Sequence, residues 1–280
     1  MSGRPDHVAE QPAPAEGSEP HRVPKLKSVA LPSEHGGWGL TIEPGLLGVL
    51  VAPSLAGFCL AFAALVAFLA RTPVKLVLVD RRRGRMLPRT RLALRVAAVE
   101  VLVLAALVIV VVLTAEGWSW SIPVLVAAPL IAVELWYDMR SRSRRLIPEL
   151  AGAIGIAGVA ASIVLVDGGD GALALGLWSI LAARVVSAIP HVRGQIFRLH
   201  GRPSSASVTL VADFVAVAGA IGAVALDTAL VAGAIAVVAL VIAQRVIAAG
   251  PARRAPIIGA MQTVFGFAVV LVTAIGVARS

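Results

Sequence analysis

An all-α membrane bundle is the fold this sequence predicts, and three observations predict it. The chain is 58% apolar and only 15% charged, its mean hydropathy is +0.89, and its basic residues gather in alternate loops between apolar runs. A soluble domain of 280 residues needs far more polar surface than this to cover its core. The chain is therefore read as a polytopic membrane protein.

Apolar runs long enough to cross a bilayer, about 17 to 25 residues each, predict about nine helices. The first two, 40–52 and 55–70, are short and part at Pro53-Ser54. The third and fourth, 92–114 and 121–137, flank Glu116. The fifth, 148–166, opens on Pro148-Glu149, with proline in the first turn and an acid at the positive end of the dipole. Its Gly152, Gly155 and Gly158 recur every third residue, a small-residue spacing that brings transmembrane helices close together. The sixth helix is 172–190, and the seventh, 208–226, carries Gly219 and Gly222 for the same purpose. The eighth and ninth are 228–247 and 256–278.

Loops after the second, fourth, sixth and eighth helices hold Arg81, Arg142, Arg198 and Arg253 with their basic neighbours. The others hold Glu116, Asp167, Asp170 and Asp227 without Lys or Arg. The positive-inside rule then places the N-terminus in the cytoplasm and the C-terminus outside, in the cell's inner membrane. Residues 1–24, rich in Pro, Glu, Ser and Ala, read as a disordered cytoplasmic tail, ahead of a transmembrane domain at 25–280. The tail lacks the basic-then-apolar order of a signal peptide. A net charge of +9 beside membrane helices calls for anionic lipid head groups rather than nucleic acid. Cys59 is alone, which excludes an internal disulfide or a thiolate zinc site.

Ionisable residues at membrane depth are costly, so Glu43, Glu100, Glu134, Arg184 and Asp213 should face the interior, pair, or line a pathway. Glu100 lies nine residues beyond Arg91 and five beyond Arg95, so either a structural pairing with a basic neighbour or a functional role is expected of it. Arg184, two turns inside the sixth helix, suits an anion in a cytoplasm-facing cavity, with Glu134 or Asp213 as alternative partners. Ser33-Glu34-His35-Gly36-Gly37-Trp38 sets a titratable His beside a carboxylate just ahead of the first helix, either as an entry segment for substrate or as an interfacial anchor. His191 and His200 have no acidic neighbour in their loop, so no metal site is expected there.

The fragment 32–38, followed by Glu43-Pro44 and later by Arg71-Thr72-Pro73, resembles the bacterial YwiC-like membrane protein family from Pro32 to the C-terminus. A remoter similarity is to the UbiA prenyltransferase superfamily. That resemblance implies nine transmembrane helices, with an active site beneath the cytoplasmic loops after helices two and six. In the superfamily each of these loops carries an Asp-rich motif, and the pair holds Mg²⁺ against an isoprenoid diphosphate. The segment Arg85-Met86-Leu87-Pro88-Arg89-Thr90 is similar to the one that follows the first motif. It sets Ala70, Arg71, Val74 and Leu78 where Asn, Asp, Asp and Asp are expected. His191 and Gln195 stand where the second motif has aspartates, and Ile147-Pro148-Glu149 also looks superfamily-like.

Mg²⁺ takes hard oxygen ligands, and these loops offer Asp80 among many cations, so neither a metal pair nor any cofactor is expected. Guanidinium groups can hold phosphate oxygens without metal. The expected partner is an anionic lipid or isoprenoid, its head meeting Arg71, Lys75, Arg184, Arg193 and Arg198, with Glu34, Glu149 and Gln195 completing the substrate site. If a reaction occurs, it is metal-independent group transfer with His35 or His191 as acid or base. The alternatives are a non-catalytic lipid-binding or membrane-accessory protein, and third a transporter, which the absence of paired, broken helices in the sequence disfavours.

Overall fold

The computed structural model describes residues 26–31, 35–140, 145–251 and 253–280. The tail 1–24, Glu34, Arg142 and the His35 side chain lie outside the described residues. Among the described residues the chain is helical and has no strand. A short α1 (Leu26–Ala30) precedes α2 (His35–Val51), α3 (Leu55–Arg82), α4 (Pro88–Thr114) and α5 (Ser121–Met139). Then come α6 (Leu146–Ala157) with α7 (Val159–Val166), α8 (Gly171–Leu199), α9 (Ala206–Leu226), α10 (Val231–Ala249) and α11 (Ala255–Ala278). Among the described residues eight segments are long and apolar enough to cross a membrane, α6 and α7 together forming one of them, and α2 is a shorter apolar helix. These match the nine predicted runs in order.

The extents differ. α3 runs to Arg82 and α8 to Leu199, well past the expected ends at residues 70 and 190, because a helix does not stop where the bilayer stops. Both stop at a glycine in the left-handed region, Gly84 at φ 64° and Gly201 at φ 64°. After each glycine the next amide reaches back to close the turn, Arg85 N–H to the Asp80 carbonyl at 2.9 Å and Arg202 N–H to the Phe197 carbonyl at 2.8 Å. At 28 and 29 residues these helices are about 42 Å long at 1.5 Å per residue, against about 30 Å of hydrocarbon. Their ends therefore project into the head-group layer. Pro73 and Pro190 sit inside them rather than at their ends.

The fifth predicted helix is broken at Gly158, where the amide turns back to the Gly155 carbonyl at 3.1 Å. The Ile154 carbonyl accepts instead from Trp178 Nε1 of α8 at 2.8 Å, so the freed acceptor is satisfied where no water reaches it. A Cβ at Gly158 would stand 3.0 Å from the Trp178 ring, which is why the small residue is needed there. Gly155 meets Ile131 of α5 in the packing role expected for it, whereas Gly222 has no neighbour that a Cβ would meet.

α3 and α4 form one long hairpin, and α8 and α9 another. The main core joins α2, α7, α8, α9, α10 and α11 through Leu47, Ala160, Leu177, Ile180, Ala216, Val237 and Val270. The outer surface is apolar, with Leu102 69%, Leu113 77%, Phe214 76% and Val246 69% exposed. Such a band is untenable in water and ordinary against lipid. One end of the bundle carries the arginine-bearing turns; the other carries Glu116, Asp167, Asp170 and Asp227.

Candidate functional site

Three groups of polar side chains inside the bundle lie toward its middle or its basic end. The innermost joins α2, α8 and α11. Glu43 and Arg184 are 1% and 3% exposed, and Arg184 Nη2 donates to Glu43 Oε1 at 2.8 Å and to the Gln262 carbonyl at 2.9 Å. A Cβ at Gly266 would overlap the Glu43 carboxylate and crowd Arg184, so this glycine makes room for the pair. The sequence sets a bound anion against Arg184, with Glu134 or Asp213 as alternative partners. The carboxylate in contact is instead Glu43, 141 residues away in sequence, a distance that helical spacing cannot reveal.

The second group lies along α8. Ser187, His191 and Gln195 follow Arg184 at intervals of three and four, so one helix face carries all four. Ser187 Oγ lies 2.9 Å from Asp213 Oδ1 of α9 and 2.8 Å from the Gln244 amide of α10. One hydroxyl proton serves one acceptor. Both contacts are good when Gln244 presents its NH₂ to Ser187 and Ser187 donates to Asp213. Asp213 Oδ2 accepts from Arg245 Nε at 2.5 Å, and Gln244 is 3.4 Å from the Gln262 side chain. His191 is buried close enough to Asp213, Arg245 and Arg198 to feel their charges. Gln195 is 2% exposed, and neither polar atom of its amide has a hydrogen-bond partner among the described residues. Arg198 donates to the Ala248 and Gly250 carbonyls, the latter at 2.7 Å, and so caps the end of α10 where a cation is favoured.

The third group spans α3 and α5. Arg71 Nη1 pairs with Glu134 Oε1 at 2.8 Å and its Nε with Asp138 Oδ2 at 2.8 Å, while Lys75 Nζ reaches Asp138 Oδ1 at 3.2 Å. Gly152 of α6 leaves space for Glu134, since a Cβ there would overlap its carboxylate. Glu100, expected beside Arg91 or Arg95, has its Oε2 buried and without a hydrogen-bond partner among the described residues.

Glu149 and Arg193, both named from sequence, do meet: Nη1 lies 2.9 Å from Oε2, joining α6 to α8, and the Arg193 guanidinium stands over the Phe197 ring at 5.6 Å. Beside this pair an open groove of about 370 Å³ runs between α6, α8 and α9, lined by Leu146, Leu150, Val186, Pro190, Val208 and Val211 with their neighbours. Leu150 follows Glu149 on α6, and Pro190 lies one turn before Arg193 on α8. Val208 and Val211 are 43% and 62% exposed, so the groove opens on the lipid-facing side. Among the described residues no three His, Cys, Asp or Glu side chains converge on a position that could hold a metal ion.

Sequence reasoning missed Asp138, Ser187, Gln244, Arg245 and Gln262. The α8 members were findable from the spacing of Arg184, Ser187, His191 and Gln195, but the acid and amide partners come from other helices.

Compared with known proteins, residues 31–164 match the family model described as YwiC-like protein, from the segment ahead of α2 into α7. No curated protein and no solved structure gives a significant match.

Proposed function

We propose that this multi-pass YwiC-like chain lies in the cell's inner membrane with its N-terminus and basic turns in the cytoplasm, and that it binds an anionic lipid. The groove between α6, α8 and α9 carries this reading: an apolar channel facing lipid, with Arg193 one turn beyond its Pro190 on α8 and paired with Glu149. A hydrocarbon or isoprenoid chain would lie along Leu150, Pro190 and Val211, with its phosphate or carboxylate drawn to Arg193. Concave, mostly apolar sites with a few polar groups at one end are the usual form of a lipid pocket. The UbiA resemblance favours an isoprenoid over an ordinary acyl chain. Group transfer without metal would then fall to His191, or to His35, as acid or base.

A second reading is a non-catalytic lipid-binding or accessory protein. It is favoured by the pairing of Arg71, Lys75, Arg184 and Arg193 with acids of the same chain, which suits a settled architecture better than a site that repeatedly exchanges charged ligands. Transport is a third reading, with less behind it: Gly158 is the one break within an apolar span of the described residues.

The test is mass spectrometry of lipid retained by the purified protein. Val211→Trp should block the groove and Arg193→Gln should remove its cation; each should cut retained lipid by about tenfold, since a charge-assisted contact is worth roughly 1.5 to 3 kcal/mol. Val99→Trp, on the exposed face of α4, is the control. Equal retention by all three variants would overturn the groove as the site, and turnover of an isoprenyl donor would decide between transferase and accessory protein.

A further inference from the structure

The turn between α3 and α4, with the helix ends that flank it, carries Arg81, Arg82, Arg83, Arg85 and Arg91, all exposed. A signal that only sets membrane orientation needs a number of charges and no particular geometry. This turn is nonetheless held in one geometry from inside. Asp80 is 1% exposed and accepts from Thr90 Oγ1 at 2.6 Å and from Arg89 Nη2 at 3.2 Å. Its backbone carbonyl closes the left-handed turn at Gly84, while Thr90 Oγ1 accepts from the Leu87 amide at 3.2 Å. One buried acid thus ties the last turn of α3 to the first turn of α4 and leaves the other guanidiniums directed outward.

The turn also carries apolar groups. Met86 is 54% and Leu87 37% exposed at its tip. α1 packs against its stem through Val29, which is buried with Val77 and Ala93, and α1 presents an exposed Lys27 and a 58% exposed Leu26. Because α3 outruns the hydrocarbon by about 12 Å, this mixture of cations and apolar side chains sits at head-group depth. An acidic protein or a nucleic acid in solution would complement the charge and leave Leu26 and Met86 in water. A phospholipid surface complements both.

We propose that the α3–α4 turn is a preorganised site for anionic phospholipid head groups, separate from the groove between α6, α8 and α9. The decisive variant is Asp80→Asn, because it adds one net positive charge while weakening the lock. Delipidated protein is titrated with phosphatidylglycerol or phosphatidylcholine and bound lipid is counted by native mass spectrometry. Simple attraction predicts that Asp80→Asn binds phosphatidylglycerol as well as the parent or better; a preorganised site predicts a loss of about fivefold, as large as removing one arginine. Thr90→Val, which removes the lock without changing charge, should lose as much and covers the case in which Asp80→Asn fails to fold. The triple change Arg82→Gln, Arg83→Gln and Arg85→Gln should lose about a hundredfold. All variants are compared in an Arg193→Gln background, which lowers the groove's own share of bound lipid, so failure of the groove reading and failure of this one are told apart. Parental affinity in Thr90→Val or in the triple variant, or a preference for an acidic peptide or RNA over phosphatidylglycerol, would overturn the proposal.

Discussion

Replacing Glu43 with Gln probes the centre of the bundle most sharply. The carboxylate is the one charged partner of Arg184 in contact among the described residues. Without it a guanidinium 3% exposed has only neutral acceptors, the Gln262 carbonyl at 2.9 Å and the new amide oxygen, and its Nε already lacks a partner among the described residues. Removing one member of a buried pair costs about 3 to 5 kcal/mol, whereas exchanging both for apolar groups of similar volume is close to neutral. Glu43→Gln alone should therefore lower the unfolding free energy by about 3 kcal/mol or more, and adding Arg184→Met should bring it back to within about 1 kcal/mol of the parent. Gly266→Ala attacks the same contact sterically, since the new Cβ would overlap the carboxylate. Overpacking of this kind costs about 1 to 3 kcal/mol, and because both changes disrupt one contact their effects should add to less than their sum. Reversible unfolding in mixed detergent, followed by Trp fluorescence, measures all four variants. A Glu43→Gln protein within about 1 kcal/mol of the parent, or a double variant as damaged as the single, would refute the view that the pair depends on its mutual neutralisation.

Most of the architecture was legible because it follows from one dimension of the sequence. Hydrophobic length against bilayer thickness gave the spans, and the alternation of Arg with Asp and Glu in the loops gave their order. What length cannot give is where a helix ends once it has left the hydrocarbon. Gly84 and Gly201 set those ends, and Arg81 and Arg198 ahead of them stand on helix rather than in the loops expected of them. Partner identity was the least legible part. Glu149 and Arg193, each expected in the substrate site, form an ion pair that the sequence did not name, and Arg71 with Asp138 and Arg184 with Glu43 likewise join helices whose neighbourhood no local pattern records. A buried charge announces that it has a partner and does not name it.

Reporter fusions should place Arg82, Arg198 and Arg253 in the cytoplasm and Asp167 outside, because the arginine-bearing turns share one end of the bundle; an external signal at any of the three arginines would refute the orientation. The break at Gly158 gives the last test. Trp178→Phe keeps an aromatic ring against the glycine but removes the donor that satisfies the Ile154 carbonyl at 2.8 Å. An unsatisfied buried acceptor costs about 1 to 3 kcal/mol, and no water in the hydrocarbon region can substitute for the lost bond, so Trp178→Phe should destabilise the fold by that amount and speed amide exchange around the break. A pure shape role predicts near-parental stability for Phe and a large loss for Trp178→Ala. Equal stability of Trp178→Phe and the parent, with unchanged exchange at Gly158 and Val159, would show that the indole fills space there and that the kink persists without its hydrogen bond.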